Sequence, residues 1–516
     1  MSLLDGWTGA TACALQSALR LSNEAFAEHL GIGVRTVASW HQKPTLRPKS
    51  EMQQLLDTAL EQASQPAQER FAALTNSGSS RPTSEAEQRL GADPHIGAAL
   101  DWLDRHARRA PGMSRRDVAD RLSRVDVHEL EDRGNRRGRV RQRDVARALA
   151  NYYRDLPQGY GCYSARHDGG DSATTILTSA AWLDLDCALT PHNDQVQLAD
   201  TGAQDESLDE EAAGYAAQRL AETLALGVRL VDMPLYRLIS ADVRKGTLGG
   251  SAAITEFVRY ALTMDLLEGE LIDTLAAGAE VTPDTSPLRH RYLPDAGSVL
   301  DLSNRLCAGG TLALTAVARP ADPFRGPADY LLLVQERSGR VVNAARQLAV
   351  IPKGFHQPMT DYRADTRIGA TLRREMEEEL FGRDDIDNTL GRQRAADPMH
   401  PSRLSEPMRW LTEAPDRLRM ECTGFGLNLI SGNFEFAGLI VIEDEEFWRR
   451  FGGRVEANWE SSALRQYSSL DRRLLTELIS DVAWSNEGLF ALLQGLRRLA
   501  QIGGERVNLP EIEWEV

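Results

Sequence analysis

The stretch ATLRREMEEELFG, Ala370 to Gly382, sets four glutamates in five positions directly after two arginines. A helix advances about 100° per residue, so Leu372, Met376 and Leu380 would form an apolar stripe, with Glu375, Glu378 and Glu379 together on one flank of it. Three like charges so close repel one another unless a cation or an arginine compensates. Hard divalent cations prefer such oxygen ligands, and Mg²⁺ commonly pairs a few carboxylates with substrate phosphates. A solvated charged helix face carries the same pattern. The surroundings must decide.

Upstream, YLLLVQERSGRVVNAARQLAVIPKGF reads as a strand, a turn, a second irregular strand and then Pro352-Lys353-Gly354. Downstream, RLRMECTGFGLNLISGNFEFAGLIVIED supplies further strands, followed by the acidic, aromatic VEANWESSALRQYSSLDRRLL and a closing helical region from Leu470 to Gln501. This succession resembles the Nudix fold, and Arg374 to Glu379 match the R-E-U-x-E-E core of its box. The resemblance implies an α/β/α sandwich, Mg²⁺ or Mn²⁺ held by Glu375, Glu378 and Glu379, Arg374 orienting a glutamate, and an additional acid from Glu456 or Glu460.

The box is divergent. No glutamate lies between Gly354 and Arg374, that interval exceeds the motif, and Phe381 stands where the family has glycine, with Gly382 one residue late. The approach loop FHQPMTDYRADTRIGA is rebuilt, with Asp361 or Asp365 as candidate replacements for the missing acid. Such a domain would either sense a nucleotide-like ligand or hydrolyse a nucleoside diphosphate derivative.

At the other end of the chain, NEAFAEHLGIGVRTVASWHQ has the grammar of a helix-turn-helix. Phe26, Ala27 and Leu30 give the first helix an apolar face, Gly31 permits the turn, and Val34, Val37 and Trp40 hold the second helix against it. Arg35, Thr36, Ser39 and His41 are left to face a DNA groove, and Lys43, Arg47 and Lys49 to contact phosphates. These residues resemble the helix-turn-helix of actinobacterial XRE-like regulators. The bland alternative is a helical bundle used for protein contacts.

With 516 residues and 42% hydrophobic content the chain is long enough for several domains. The spacing of soft stretches predicts a multidomain α+β protein: a helix-turn-helix domain over 1–75, a linker over 76–95, a basic helical region over 96–155 that is a candidate second helix-turn-helix, a mainly helical middle with a short β hairpin over 156–318, and the Nudix-like domain over 319–516. The net charge of −16 argues against nonspecific nucleic-acid binding by the whole surface, yet Arg105 to Arg147 is locally basic. No apolar run spans a bilayer and no signal peptide is read, so no membrane partner and a cytoplasmic location are expected. The five cysteines form no CxxC pair and are expected to be reduced thiols. The expected function is a DNA-binding transcriptional regulator, homodimeric because one helix-turn-helix reads a half-site, with duplex DNA and a nucleotide-like molecule as partners. A Nudix-type hydrolase and a protein-binding scaffold are the alternatives.

Overall fold

The computed structural model describes residues 7–19, 21–44, 46–65, 67–68, 70–71, 85–200, 207–337, 347–382, 399–452 and 461–516. The chain is mixed α/β and divides into two compact units, 1–89 and 90–516. The division falls inside the expected linker, but residues Glu85–Ala92 of that linker form a helix.

The first unit is helical, with helices Gly9–Leu19, Asn23–Leu30, Val34–Gln42 and Ser50–Glu61. Leu15, Phe26, Ala27, Val37, Trp40 and Leu56 form its core. Gly9 starts the first helix against the end of the third, where a Cβ would lie 2.5 Å from the Lys43 carbonyl oxygen. Trp7 donates its indole N–H to Asp57 at 2.7 Å, tying the segment before the first helix to the fourth.

The second unit is organised by a large mixed sheet. Its strands are β1 (Tyr160–His167), β2 (Gly170–Ser179), β3 (Leu183–Ala188), β7 (Gly309–Arg319), β8 (Asp329–Arg337), β9 (Leu348–Val350), β10 (Lys353–Phe355), β11 (Leu418–Asn428), β12 (Phe434–Ile442), β13 (Ser461–Ser468) and β14 (Ile512–Glu515). The main order is β13-β8-β7-β12-β11-β2-β1-β14, with β10 on β7, β3 on β11 and β9 on β8. Strands β4 (Asp194–Leu198), β5 (Pro234–Arg244) and β6 (Thr247–Glu256) form a separate small sheet.

At the centre β7 and β12 pair in parallel, Gly309 opposite Phe434 through Val317 opposite Ile442. Every residue of both strands is buried, as parallel strands covered on both faces must be. Alternation then sorts side chains to two faces. Leu312, Leu314, Leu332, Leu439 and Val441 pack with Leu489, Phe490, Leu493 and Leu496 of the helix Asn486–Ile502. Val317, Leu331, Leu333, Phe436 and Ile440 share the opposite core with Leu372, Met376, Leu380, Met408 and Phe447.

Two expectations change here. The middle region is not mainly helical: β1 to β6 and most of β7 fall within 156–318, and β5 with β6 makes an antiparallel hairpin where helices were expected. Nor does it stand apart, since β2 and β3 hydrogen-bond to β11 of the later segment. The expected domain boundary at 318/319 falls at the end of β7, and the β7–β8 connection that follows is closed by a bridge between Asp322 and Gly326. The short β hairpin expected over 156–318 is β1–β2, with His167 opposite Gly170 beside the turn. In the middle region Tyr260, Leu262 and Leu271 are buried, whereas Leu266 is only half-buried.

Arg289 shows how firmly the middle region joins the sheet. It is fully buried in the helix Pro287–Tyr292, and its guanidinium donates to the carbonyls of Leu429 and Ile430 at 2.5 Å each and to the Tyr153 hydroxyl at 3.2 Å. Arg289→Ala would leave those carbonyls buried without donors, at about 1–3 kcal/mol each. The second unit of this variant is expected to unfold at lower denaturant by roughly that sum, measured by urea titration, with the first unit's helical signal unchanged.

Candidate functional site

The glutamate stretch forms the helix Ile368–Glu375, which continues over Met376–Leu380 as a single π turn. The stripe of Leu372, Met376 and Leu380 is buried, as its spacing predicts. A π turn holds more residues than an α turn, and Gly382, one residue late for the box, leaves the helix at φ 64°.

The glutamates are not a solvated face. Glu377 is 0% exposed, Glu379 1% and Glu375 and Glu378 each 6%, and Arg374 is 2%. Buried carboxylates require partners. Arg374 donates to Glu375 at 2.5 Å and to the Phe355 carbonyl at 3.0 Å. The backbone N–H of Lys353 donates to Glu379 at 2.7 Å, and that of Ser405 to Glu377 at 2.9 Å. Gly354 lies directly under the Glu375 carboxylate, so a Cβ there would overlap it. Glutamate side chains thus fasten the β10 backbone and the start of the helix Glu406–Thr412 to the 368–380 segment.

Both ends of the approach loop are accounted for by hydrogen bonds. Asp361 accepts from the N–H groups of Arg363 and Ala364, and Asp365 from those of Met359 and Thr360. Both carboxylates shape the loop itself, which explains their presence without a metal. His356 is buried, bonded to Thr371 and to the Thr366 carbonyl, and burial pushes its pKa down to about 3. The imidazole is neutral. Asp194 of β4 accepts from the Gly369 N–H at 2.9 Å, and the Thr366 hydroxyl reaches the Val196 carbonyl at 3.1 Å. The small sheet therefore caps the glutamate helix.

Sequence reading missed a second cluster, which meets the first at Lys353. The Lys353 ammonium lies 2.6 Å from Glu487, at the start of the helix Asn486–Ile502, and Asn428 donates to the other Glu487 oxygen at 3.4 Å. Burial opposes the Glu487 charge, but Lys353 holds its pKa below the usual carboxylate range. Glu435 on β12 is raised to about 8 by burial and by the nearby Glu487 charge. Glu268 is raised to about 7, by burial and then by Asp265 and Glu487. The only sequence trace of this cluster is Glu435, a lone acid inside the apolar run FEFAGLIVI.

The resemblance implies Mg²⁺ or Mn²⁺ on Glu375, Glu378 and Glu379. Glu375 and Glu379 already accept hydrogen bonds, and among the described residues no three His, Cys, Asp or Glu side chains are grouped to hold one ion. Glu456 and Glu460 lie outside the described residues. A surface cleft of about 400 Å³ is lined by Asp144, Arg147, Tyr152, Glu280 and His290 and by none of the box glutamates.

In the first unit, Ser22 caps the helix Asn23–Leu30 by accepting from the Ala25 N–H, and Gly31 ends it at φ 67°. Arg35 is exposed and Thr36 and Ser39 are half-buried, with the Ser39 hydroxyl donating to the Thr36 carbonyl at 2.7 Å. His41 is exposed yet hydrogen-bonded to Gln16 of the first helix at 2.9 Å. Lys43, Arg47 and Lys49 are exposed. Val34 was expected to hold the helices together; it is 42% exposed, and Val37 and Trp40 do that work.

Cys187, Cys307 and Cys422 are buried and all five cysteines are unpaired thiols. Among the described residues no helix is long and apolar enough to cross a membrane. No family model matches the chain, and no curated protein matches it.

The raised Glu435 has a measurable consequence. A folded pKa of about 8 against an unfolded value near 4.5 means that stability is fully present below the unfolded pKa and is lost as pH rises through the folded one. Glu435→Gln is expected to flatten this loss between about pH 5 and 9 and to raise the thermal midpoint relative to the parent at pH 9, both read by calorimetry across the pH range.

Proposed function

We propose that this chain is a DNA-binding transcriptional regulator whose first unit is a helix-turn-helix and whose second unit carries a Nudix-like, nucleotide-sensing domain. One observation carries the proposal. The first unit's second and third helices join through left-handed Gly31 and bury Phe26, Ala27, Val37 and Trp40, while Arg35 stands exposed on the third helix. A recognition helix needs that division between a packed face and a free polar one. The sensing half rests on the parallel β7–β12 pair between helices 368–375 and 486–502, with Arg374 bonded to Glu375 as the box would have it.

Sensing is favoured over hydrolysis because Glu375 and Glu379 are engaged with Arg374 and the Lys353 N–H. Catalysis through a metal requires open coordination and placed substrate. Ligand binding would act by favouring one of two arrangements of the chain, to the extent of its differential affinity. The regulator would act as a homodimer on a symmetric operator.

In gel-shift titrations against genomic fragments, Arg35→Ala is expected to lower the preference for the best fragment, whereas Lys49→Ala weakens all fragments alike. Light scattering of the complex should give the mass of two chains. The reading fails if the intact chain prefers no fragment, with or without nucleotides.

For the sensing half, ADP-ribose and related diphosphates are titrated calorimetrically with and without Mg²⁺, and the mixtures are assayed for cleavage. Saturable binding without turnover is expected, and Glu378→Gln should weaken any Mg²⁺-dependent part of it. Rapid turnover abolished by Glu378→Gln would establish the hydrolase instead.

A further inference from the structure

Two groups of arginines stand out between Arg105 and Arg147, beside the separately exposed Arg105, Arg108, Arg116 and Arg124. Those of the first are neutralised by acids, most of them on later helices. Arg109 reaches Glu210 at 2.5 Å, Arg133 reaches Glu222, and Arg137 grips Asp273 through two N–H donors at 2.5 Å each. These pairs fasten the basic helices to the helices Glu210–Leu226 and Leu266–Ala276. They are part of the scaffold.

The second population sits where the helix Val127–Arg137 turns into the helix Gln142–Tyr152. Arg139, Arg141 and Arg143 are exposed and, among the described residues, none of them makes an ion pair. Between them Val140 turns inward and packs against the main core. Three cations within five residues thus stand exposed on an acidic protein, with the half-buried Val140 as the apolar residue among them. Like charges held close without compensation raise the local positive potential, which an anionic partner would relieve.

The adjoining helix Val127–Arg137 is the one a second helix-turn-helix would place in a groove. Its outward residues include Glu129, Glu131 and Asp132, with Arg136 bonded to Glu129 at 2.7 Å. That face would be repelled by phosphates. Its arginines 133 and 137 point instead to Glu222 and Asp273. Base reading by this helix is therefore disfavoured, while backbone contact by the following turn is not.

We propose that Arg139, Arg141 and Arg143 form a phosphate-contacting surface for duplex DNA, adding affinity without reading sequence. The proposal rests on the reading of the chain as a DNA-binding regulator. Guanidinium groups suit phosphate oxygens because their planar fork donates two parallel hydrogen bonds. The lack of exposed apolar residues in the turn disfavours a lipid surface, which such a patch would otherwise share as a target.

The test uses the full chain and a fluorescent 30-base-pair duplex, with affinity measured by anisotropy from about 50 to 200 mM salt. Each phosphate contact contributes about 0.9 to the slope of log K against log salt, so Arg139→Ala/Arg141→Ala/Arg143→Ala should make it shallower by roughly 2 to 3. The triple lysine variant should keep most of the slope, and sequence preference should be unchanged in both. Because these side chains carry no ion pairs, the thermal midpoint should match the parent. An unchanged slope in the triple alanine variant, with a parent that still prefers one fragment, overturns this proposal alone. A parent that binds no duplex overturns it together with the regulator reading. A larger loss on single-stranded RNA or on anionic lipid vesicles than on the duplex overturns the choice of DNA.

Discussion

The parallel pairing of β7 with β12 is the constraint on which the second unit depends. Parallel neighbours cannot be joined by a tight turn, so the chain between them must travel, and here it travels through β8, β9, β10, the glutamate helix and β11 before returning. Because the pair is buried on both faces, each face must be covered by helices. The helix Asn486–Ile502 covers one and the 368–380 segment helps to cover the other. The position of the glutamates is thus a by-product of closing the sheet's second face. Their burial follows from it.

Burial in turn dictates what the glutamates do. A carboxylate removed from water must be bonded, and in this fold the available donors are largely backbone amides and one arginine. Glu379 takes the Lys353 N–H and Glu377 the Ser405 N–H, while Arg374 takes Glu375. Lys353 is engaged at both ends, since its ammonium meets Glu487. Two acidic clusters therefore share one residue, and the charge state of Glu435 and Glu487 bears on the same short strand that the box glutamates hold.

How much of this was legible depended on the reach of each interaction. The helices Asn23–Leu30 and Val34–Gln42 could be read because Gly31, Ala27 and Trp40 act within a couple of dozen residues. The glutamate helix could be read from Leu372, Met376 and Leu380. The β5–β6 hairpin was missed because a bulge between Leu238 and Ser240 breaks the alternation that marks a strand. The joining of the middle region to the main sheet was missed because it depends on β2 and β3 meeting β11, partners far apart in the chain. The burial of the glutamates was hidden for another reason: Glu377 and Glu379 are held by amide hydrogens and Glu375 fits over the missing Cβ of Gly354, features that leave no mark in a side-chain pattern.

The cap that Asp194 places on the glutamate helix is one of several links between the small sheet and the rest of the second unit, beside backbone bonds such as Leu238 to Cys307 and Gly246 to Leu185. Its carboxylate holds the Gly369 amide, and Val196, two residues further along β4, holds Thr366. The small sheet is thereby geared to the helix at its first turn, and Arg374 and Glu375 lie at that helix's far end. Any displacement of β4 is therefore passed to the first turn of the helix, and the Lys353–Phe355 strand, fastened to the 368–380 segment by Glu379 and Arg374, sits at the other end of the same linkage.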